Sequence, residues 1–124
     1  MVLTASATGL KAEPGTAAYG ASKAAVIQMA RVAAREAARF GVRVNAIAPG
    51  GVETPIWDNA PMFGDMVAEA GSRDAAIAQM GRAGMPLGCF ATPEEIAGQI
   101  GFVLSDIAAT ITGSVLVSDG GYSA

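Results

Sequence analysis

Short apolar runs closed by glycine or proline alternate along the chain with longer runs in which apolar residues recur at helical spacing. Met1–Ala5 is a short, β-compatible run, and Ser6–Thr16, with Gly9, Pro14 and Gly15, reads as a loop. From Ala17 to Phe40 the chain is alanine-rich and free of proline, and it ends at Gly41, a residue suited to a left-handed terminus; the pattern predicts a helix. Gln28, Arg31, Arg35 and Arg39 form its one narrow polar stripe. A helix so apolar around the rest of its circumference is expected to be covered on more than one side, by a sheet and by another helix or subunit.

Val42–Ala48 carries a strand pattern closed by Pro49-Gly50. Residues 51 to 91 read as a long irregular region with helical pieces at Pro61–Ala70 and Arg73–Met80. A second main helix starts at Thr92, where Thr92 as N-cap, Pro93 at the first position and Glu95 at the third make a capping box. Ile96, Ile100, Val103, Leu104 and Ile107 mark its predicted buried face, Ser114–Ser118 a last strand, and Asp119-Gly120-Gly121 a turn. The order β-α-β-(loop, α)-β predicts an α/β fold with three parallel strands joined by helical crossovers, one half of a doubly wound sheet. Residues 1–124 form one small domain, with 51–91 as a region within it.

Composition narrows the chemistry. With 52% apolar and 15% charged residues the chain is expected to build a core. A net charge of −3 gives no footprint for nucleic acid. No apolar run is long enough to span a membrane, and Met1–Leu10 lacks the features of a signal peptide, so a cytoplasmic setting is expected. The absence of histidine excludes a Ser-His-Asp triad and histidine metal sites within this chain. The single cysteine, Cys89, excludes an internal disulfide and a cysteine metal cluster; it is expected to be a small packed hydrophobe rather than a reactive thiol. No metal site is expected.

Tyr19 and Lys23 lie four apart at the start of the first helix, on one face and one turn from each other. A phenol titrates near ~10, and bringing one to about 7 takes roughly 4 kcal/mol of differential stabilisation. A close ammonium favours the phenolate and can supply part of this. Such a pair can act as general base toward an alcohol and general acid toward a carbonyl. It is also a common helix-face contact. Ser6, thirteen positions earlier, is placed to hydrogen-bond a reacting oxygen or simply to cap a strand end. Pro49-Gly50 closes a parallel strand at the carboxyl edge, where open α/β sheets bind flat ligands, or makes an ordinary turn.

Taken together, the strand-end Ser6, Tyr19-Gly20-Ala21-Ser22-Lys23, and Val42-Arg43-Val44-Asn45 leading into Pro49-Gly50 resemble the signature series of the short-chain dehydrogenases/reductases. Thr92-Pro93-Glu94-Glu95-Ile96-Ala97 and the closing Thr112-Gly113 to Asp119-Gly120-Gly121 continue the resemblance to the C-terminus. The resemblance implies a Rossmann-like fold and hydride transfer between NAD or NADP and an alcohol or ketone. It assigns Tyr19 as acid/base, Lys23 as its electrostatic partner and ribose anchor, and Ser6 as orienter of the substrate oxygen. It places Pro49, Gly50, Val52 and Thr54 beside the cofactor, Val52 through backbone groups. It implies a homo-oligomer, a tetramer or a dimer.

The chain also departs from the family. Relatives carry a preceding half with the glycine-rich phosphate loop, which is expected to be missing here; Gly81, Gly84 and Gly88 follow no strand and read as loop. Many relatives have arginine where Cys89 stands. The resemblance makes 51–91 the substrate-binding loop region, and it holds Ile56, Trp57, Met62, Phe63, Met66, Val67, Met80, Met85 and Leu87. These residues suit either an apolar substrate or a small core of the region's own. Two other readings compete: a non-catalytic fragment keeping only subunit contacts, and a hydrolase using Ser6 or Ser22, which the lack of histidine disfavours. The isolated chain is expected to be marginally stable, prone to self-association and without dehydrogenase activity.

Overall fold

The computed structural model describes every residue from Met1 to Ala124. Three parallel strands, β1 (Val2–Thr4), β2 (Asn45–Pro49) and β3 (Val115–Ser118), lie in sequence order with β2 in the middle. Helix α1 (Ala17–Ala37) connects β1 to β2. Helices α2 (Phe63–Ala70), α3 (Arg73–Gly84) and α4 (Pro93–Leu104) lie between β2 and β3. The parallel order and the α/β architecture agree with the sequence pattern. No helix is long and apolar enough to cross a membrane.

The sheet register sets Leu3, Ala46 and Val115 in one row across the three strands. Helix α1 packs its Ala30 and Ala34 against this row and Val44, and its Ile27 against Ala5 and Ala48. Alanine on both partners lets the helix lie close to the sheet. The polar stripe Gln28, Arg31, Arg35 and Arg39 is exposed as predicted. Met29 and Val32 are exposed too, so the chain itself covers α1 on one side only. Helix α1 gives way to a 3-10 turn at Ala38–Phe40, then Gly41 takes the predicted left-handed conformation with φ 70°.

The predicted strand Val42–Ala48 begins later than expected, at Asn45, because the Val42 amide donates back to Ala37 O at 3.3 Å and the Val44 backbone bonds Thr112 and Gly113. The Arg43 guanidinium donates to the carbonyls of Val103 (2.7 Å), Leu104 (3.1 Å), Ser105 (3.0 Å) and Ile111 (3.3 Å). These include the last carbonyls of α4, which lack helical partners and favour a cation. The Val44 amide donates to Thr112 Oγ1 at 3.1 Å, and its carbonyl accepts from the Gly113 amide at 2.7 Å. Asn45, 2% exposed, donates through Nδ2 to Ile111 O at 2.8 Å and accepts at Oδ1 from the Ser114 amide at 3.0 Å. Two separated motifs of the sequence thus form one interlock that leads the chain from α4 into β3.

The capping box of α4 is present: Thr92 Oγ1 accepts from the Glu95 amide, and the Glu95 carboxylate accepts from the Thr92 amide at 2.8 Å. Of its predicted buried face, Val103 is buried and Ile96 and Ile100 are half-buried. Leu104 and Ile107 are exposed: the helix ends at Leu104, and in the 3-10 turn that follows it is Ala108 that is buried. The 51–91 segment packs its own core: Phe63, Ala76, Ile77 and Phe90, flanked by Trp57, Met66, Val67, Met80 and Met85. Trp57 stacks on Phe90 with centroids 5.1 Å apart, and Gly51 lies so close to the Phe90 ring that no Cβ fits there.

Asn45→Ala leaves the Ser114 amide without its partner and Ile111 O with only the longer Arg43 bond at 3.3 Å. We expect a loss of about 1–3 kcal/mol in urea unfolding with an unchanged denaturant slope. A loss below about 0.5 kcal/mol would show that water replaces both bonds.

Candidate active site

The carboxyl edge of the sheet collects the three strand ends. The Ala5 amide donates to Ile47 O at 2.8 Å, carrying the β1–β2 ladder one residue past β1 and setting Ser6 beside the end of β2. Ser6 caps a 3-10 turn at Ala7–Gly9 within the predicted loop; its Oγ accepts from the Thr8 amide at 3.3 Å and the Thr8 hydroxyl at 3.0 Å. With both bonds accepted, the serine's own proton is free to be donated elsewhere.

Tyr19 stands in the first turn of α1 and is half exposed. Lys23, one turn on, donates from Nζ to Thr4 O at 3.2 Å and lies 5.6 Å from the Tyr19 ring centroid. One lysine therefore touches the end of β1 and lies over the tyrosine. The backbone of α1 at this point packs directly on Gly9, where a Cβ would fall 2.8 Å from the Lys23 carbonyl carbon. No side-chain hydrogen bond joins Ser6 to Tyr19 within the chain.

Pro49 and Gly50 end β2. The Gly50 amide donates to Ser118 O at 2.9 Å, and a Cβ on Gly50 would meet Asp119 Cα at 2.8 Å, so glycine is required where β2 and β3 converge. Val52 forms an isolated parallel bridge with Ala91. Its carbonyl accepts from Trp57 Nε1 (2.6 Å) and the Thr54 amide (2.8 Å), while its own amide donates to no group of the chain. Thr54 offers its carbonyl to Arg73 at 3.0 Å, and Arg73 also pairs with Asp58 at 2.8 Å; the Thr54 hydroxyl is unengaged.

The sequence marks the third strand end as a turn and as the close of the family motif, with no role for Asp119 itself. Asp119 is buried there, and its carboxylate accepts from the Gly121 amide (2.9 Å), the Ser123 amide (2.9 Å) and the Ser123 hydroxyl (2.5 Å). Burial pushes its pKa up, but the hydroxyl and amides together outweigh burial and hold it below the ordinary carboxylate value. Beyond the turn, the Tyr122 hydroxyl donates to Glu13 Oε2 at 2.6 Å, and Lys11 Nζ donates to Tyr122 O at 2.7 Å. Hydrogen bonding to the Glu13 carboxylate, burial and the Glu13 charge push the Tyr122 pKa above its ordinary value. Contacts between residues over a hundred positions apart leave no periodic signal in a sequence.

Cys89 is exposed, not packed as expected. Its backbone is what packs: a Cβ on Gly81 would lie 2.8 Å from Cys89 Cα, and Phe90 takes the buried position next to it. Of the apolar residues in the 51–91 region, Ile56, Met62 and Leu87 remain exposed, while Trp57, Phe63, Met66, Val67, Met80 and Met85 belong to the segment's own core.

Ser6, Tyr19 and Lys23 lie at the carboxyl edge of a parallel α/β sheet, next to a Pro-Gly strand end; open sheets of this kind bind ligands at that edge. The comparisons agree. Residues 1–123 match the family model described as enoyl-(acyl carrier protein) reductase. The chain is 39% identical over 121 residues to 3-oxoacyl-[acyl-carrier-protein] reductase of Thermotoga maritima, covering 98% of this chain and 44% of that protein. A short chain dehydrogenase family protein from Francisella tularensis superposes with a TM-score of 0.82 at 35% identity, over 98% of this chain and 49% of that one. L-sorbose reductase from Gluconobacter frateurii, solved with NADPH and L-sorbose, superposes with a TM-score of 0.85 at 27% identity, over 98% and 46%. The chain belongs to the short-chain dehydrogenase/reductase family. It spans just under half the length of these relatives.

The Asp119 turn sets an acid limit on stability. A carboxyl whose folded pKa lies below its unfolded value stabilises the fold above that value, 3.8, and the contribution disappears as pH falls through the folded pKa. Melting temperature is therefore expected to fall below about pH 4. Asp119→Asn should melt lower than wild type at pH 7, with the gap closing toward the acid end. A constant gap across the pH series would contradict this.

Proposed function

We propose that this chain is the catalytic half of an oxidoreductase that transfers a hydride between NAD or NADP and an alcohol or ketone. The observation that carries the reading is Lys23, which bonds the end of β1 while lying over the Tyr19 ring, beside Ser6. Tyr19 Oη gives a proton to a carbonyl oxygen during reduction and takes one from the alcohol during oxidation. The Lys23 ammonium stabilises negative charge developing on that oxygen. Ser6, whose Oγ already accepts two bonds from Thr8, directs its proton to the substrate oxygen and orients it.

NAD or NADP, when bound, supplies the hydride acceptor or donor. The residues present fit such a group. Lys23 commits one ammonium donor to Thr4 O, leaving two for ribose hydroxyls. The Val52 amide and Thr54 hydroxyl are unengaged donors suited to phosphate oxygens. Pro49 and Gly50, at the end of β2, would back the nicotinamide. Solved relatives support the cofactor class: a 4-hydroxyisoleucine dehydrogenase with NADH at 35% identity, and the sorbose reductase with NADPH. Ile56, Met62 and Leu87 are the apolar side chains left to meet a substrate, which favours an apolar alcohol or ketone.

The complete protein is a homo-oligomer in this reading, a tetramer or dimer, with exposed Met29 and Val32 on α1 and Phe102 and Leu104 on α4 as the surfaces to be covered. Residues 1–124 alone, without a glycine-rich loop to hold the pyrophosphate, are inactive.

In a full-length enzyme carrying this half, Tyr19→Phe should lower kcat by roughly 10²–10⁴-fold with cofactor Kd unchanged. Lys23→Met should damage both. Wild-type turnover by Tyr19→Phe across a pH series would remove the assignment. For residues 1–124 alone, millimolar NAD or NADP should leave the melting temperature unmoved; a rise of several degrees would show that this half binds cofactor by itself.

A further inference from the structure

Three contacts tie the C-terminal turn to the loop that leads from Ser6 to Tyr19: Tyr122 Oη to Glu13 Oε2 at 2.6 Å, Lys11 Nζ to Tyr122 O at 2.7 Å, and Lys11 Nζ over the Tyr122 ring at 4.2 Å. The motifs that mark the family pass over all three residues. From Glu13 the connection continues through backbone. Glu13 O accepts from the Thr16 amide at 3.2 Å and the Thr16 hydroxyl at 2.8 Å. Thr16 O in turn accepts from the Gly20 amide at 2.6 Å, closing the first turn of α1, in which Tyr19 sits.

The N-cap of α1 makes this connection consequential. Thr16 forms no side-chain cap bond to α1; its hydroxyl faces back to Glu13. A helix whose first turn lacks a cap frays unless something else fixes it. At the other end, Tyr122 is set by the Asp119 turn, where the Asp119 carboxylate binds Gly121 and Ser123 on either side of it. The geometry points to Tyr122 as a positioning residue: with Glu13 and Lys11 it latches the C-terminal turn to the start of α1 and fixes the orientation of the Tyr19 phenol. This deepens the hydride-transfer reading and rests on it for the role of Tyr19.

Each bond is exposed, so the latch adds little to global stability and acts on local order instead. The chain contains two tyrosines, Tyr19 and Tyr122, so ¹³Cζ-tyrosine labelling of residues 1–124 gives one resonance for each. In wild type the Tyr122 resonance should titrate above the ordinary phenol value of 10.0, and Glu13→Ala should return it toward that value. Glu13→Ala should also displace the Tyr19 resonance, whereas Glu13→Gln, which still accepts the bond, should leave it near its wild-type position. The Thr16 and Gly20 amides should exchange at least about fivefold faster in Glu13→Ala and Tyr122→Phe, with the β2 amides unchanged. In a full-length enzyme Tyr122→Phe should lower kcat severalfold with the cofactor KM unchanged. Unaltered Tyr19 resonance and unaltered Thr16 and Gly20 exchange in both variants would overturn the latch. The spectroscopic arms do not depend on turnover, so retained activity in Tyr19→Phe would defeat the acid/base role while leaving the latch standing.

Discussion

The Arg43 guanidinium is the point on which the fold turns. It gathers the Val103 and Leu104 carbonyls at the end of α4, where the helix dipole favours a cation, together with those of Ser105 and Ile111. A lysine could not spread its charge over this arc, because the planar fork is what reaches several carbonyls at once. Next to it, buried Asn45 bonds both sides of the 111–114 turn. β3 enters the sheet directly after that turn, so these two side chains fix where β3 begins and, through the parallel ladder, which residue of β3 stands beside each residue of β2.

The consequence appears at the opposite edge. In a parallel sheet a register set at the amino ends of the strands is delivered unchanged to the carboxyl ends. Gly50 therefore meets Ser118 and Asp119 closely enough that only hydrogen fits at its Cα. Ser6 lies beside the same edge through β1, and α1 brings Tyr19 and Lys23 to it from the sheet face on which Ile27, Ala30 and Ala34 are packed. The polar interlock holds one edge, so the other can leave donors unengaged: the Val52 amide, the Thr54 hydroxyl and two of the Lys23 protons. Division of labour of this kind lets a small domain keep unsatisfied groups where a ligand would use them.

Much of this was legible in the sequence. The capping box at Thr92, Gly41 as helix terminus and the order of strands and helices follow from local rules, and the structure realises them. Tyr19 and Lys23 share a face because of helical spacing alone. What could not be read depends on contacts between distant segments. The stretch 42–44 has strand composition, but the Val42 amide is held by Ala37 O and the Val44 backbone by Thr112 and Gly113. Leu104 and Ile107 follow the helical period, yet α4 ends at Leu104 and both side chains are exposed. Cys89 sits in an apolar stretch, but only its backbone is packed, against Gly81. The apolar residues between 51 and 91 carry no mark separating those that form the segment's own core from those that face outward. The ties among Glu13, Lys11 and Tyr122 join the two ends of the chain and give no local pattern.

The interlock around Arg43 governs the distant edge where the proposed site lies. Native-state hydrogen exchange in Arg43→Met tests it most directly, by comparing the Gly113 amide, which bonds Val44 O inside the interlock, with the Gly50 amide, which bonds Ser118 O at the site. If the account holds, both amides exchange faster by a similar factor, because loss of the interlock frees β3 along its length. Acceleration at Gly113 with Gly50 unchanged would mean that Arg43 caps a helix locally and that the site edge is held by something else.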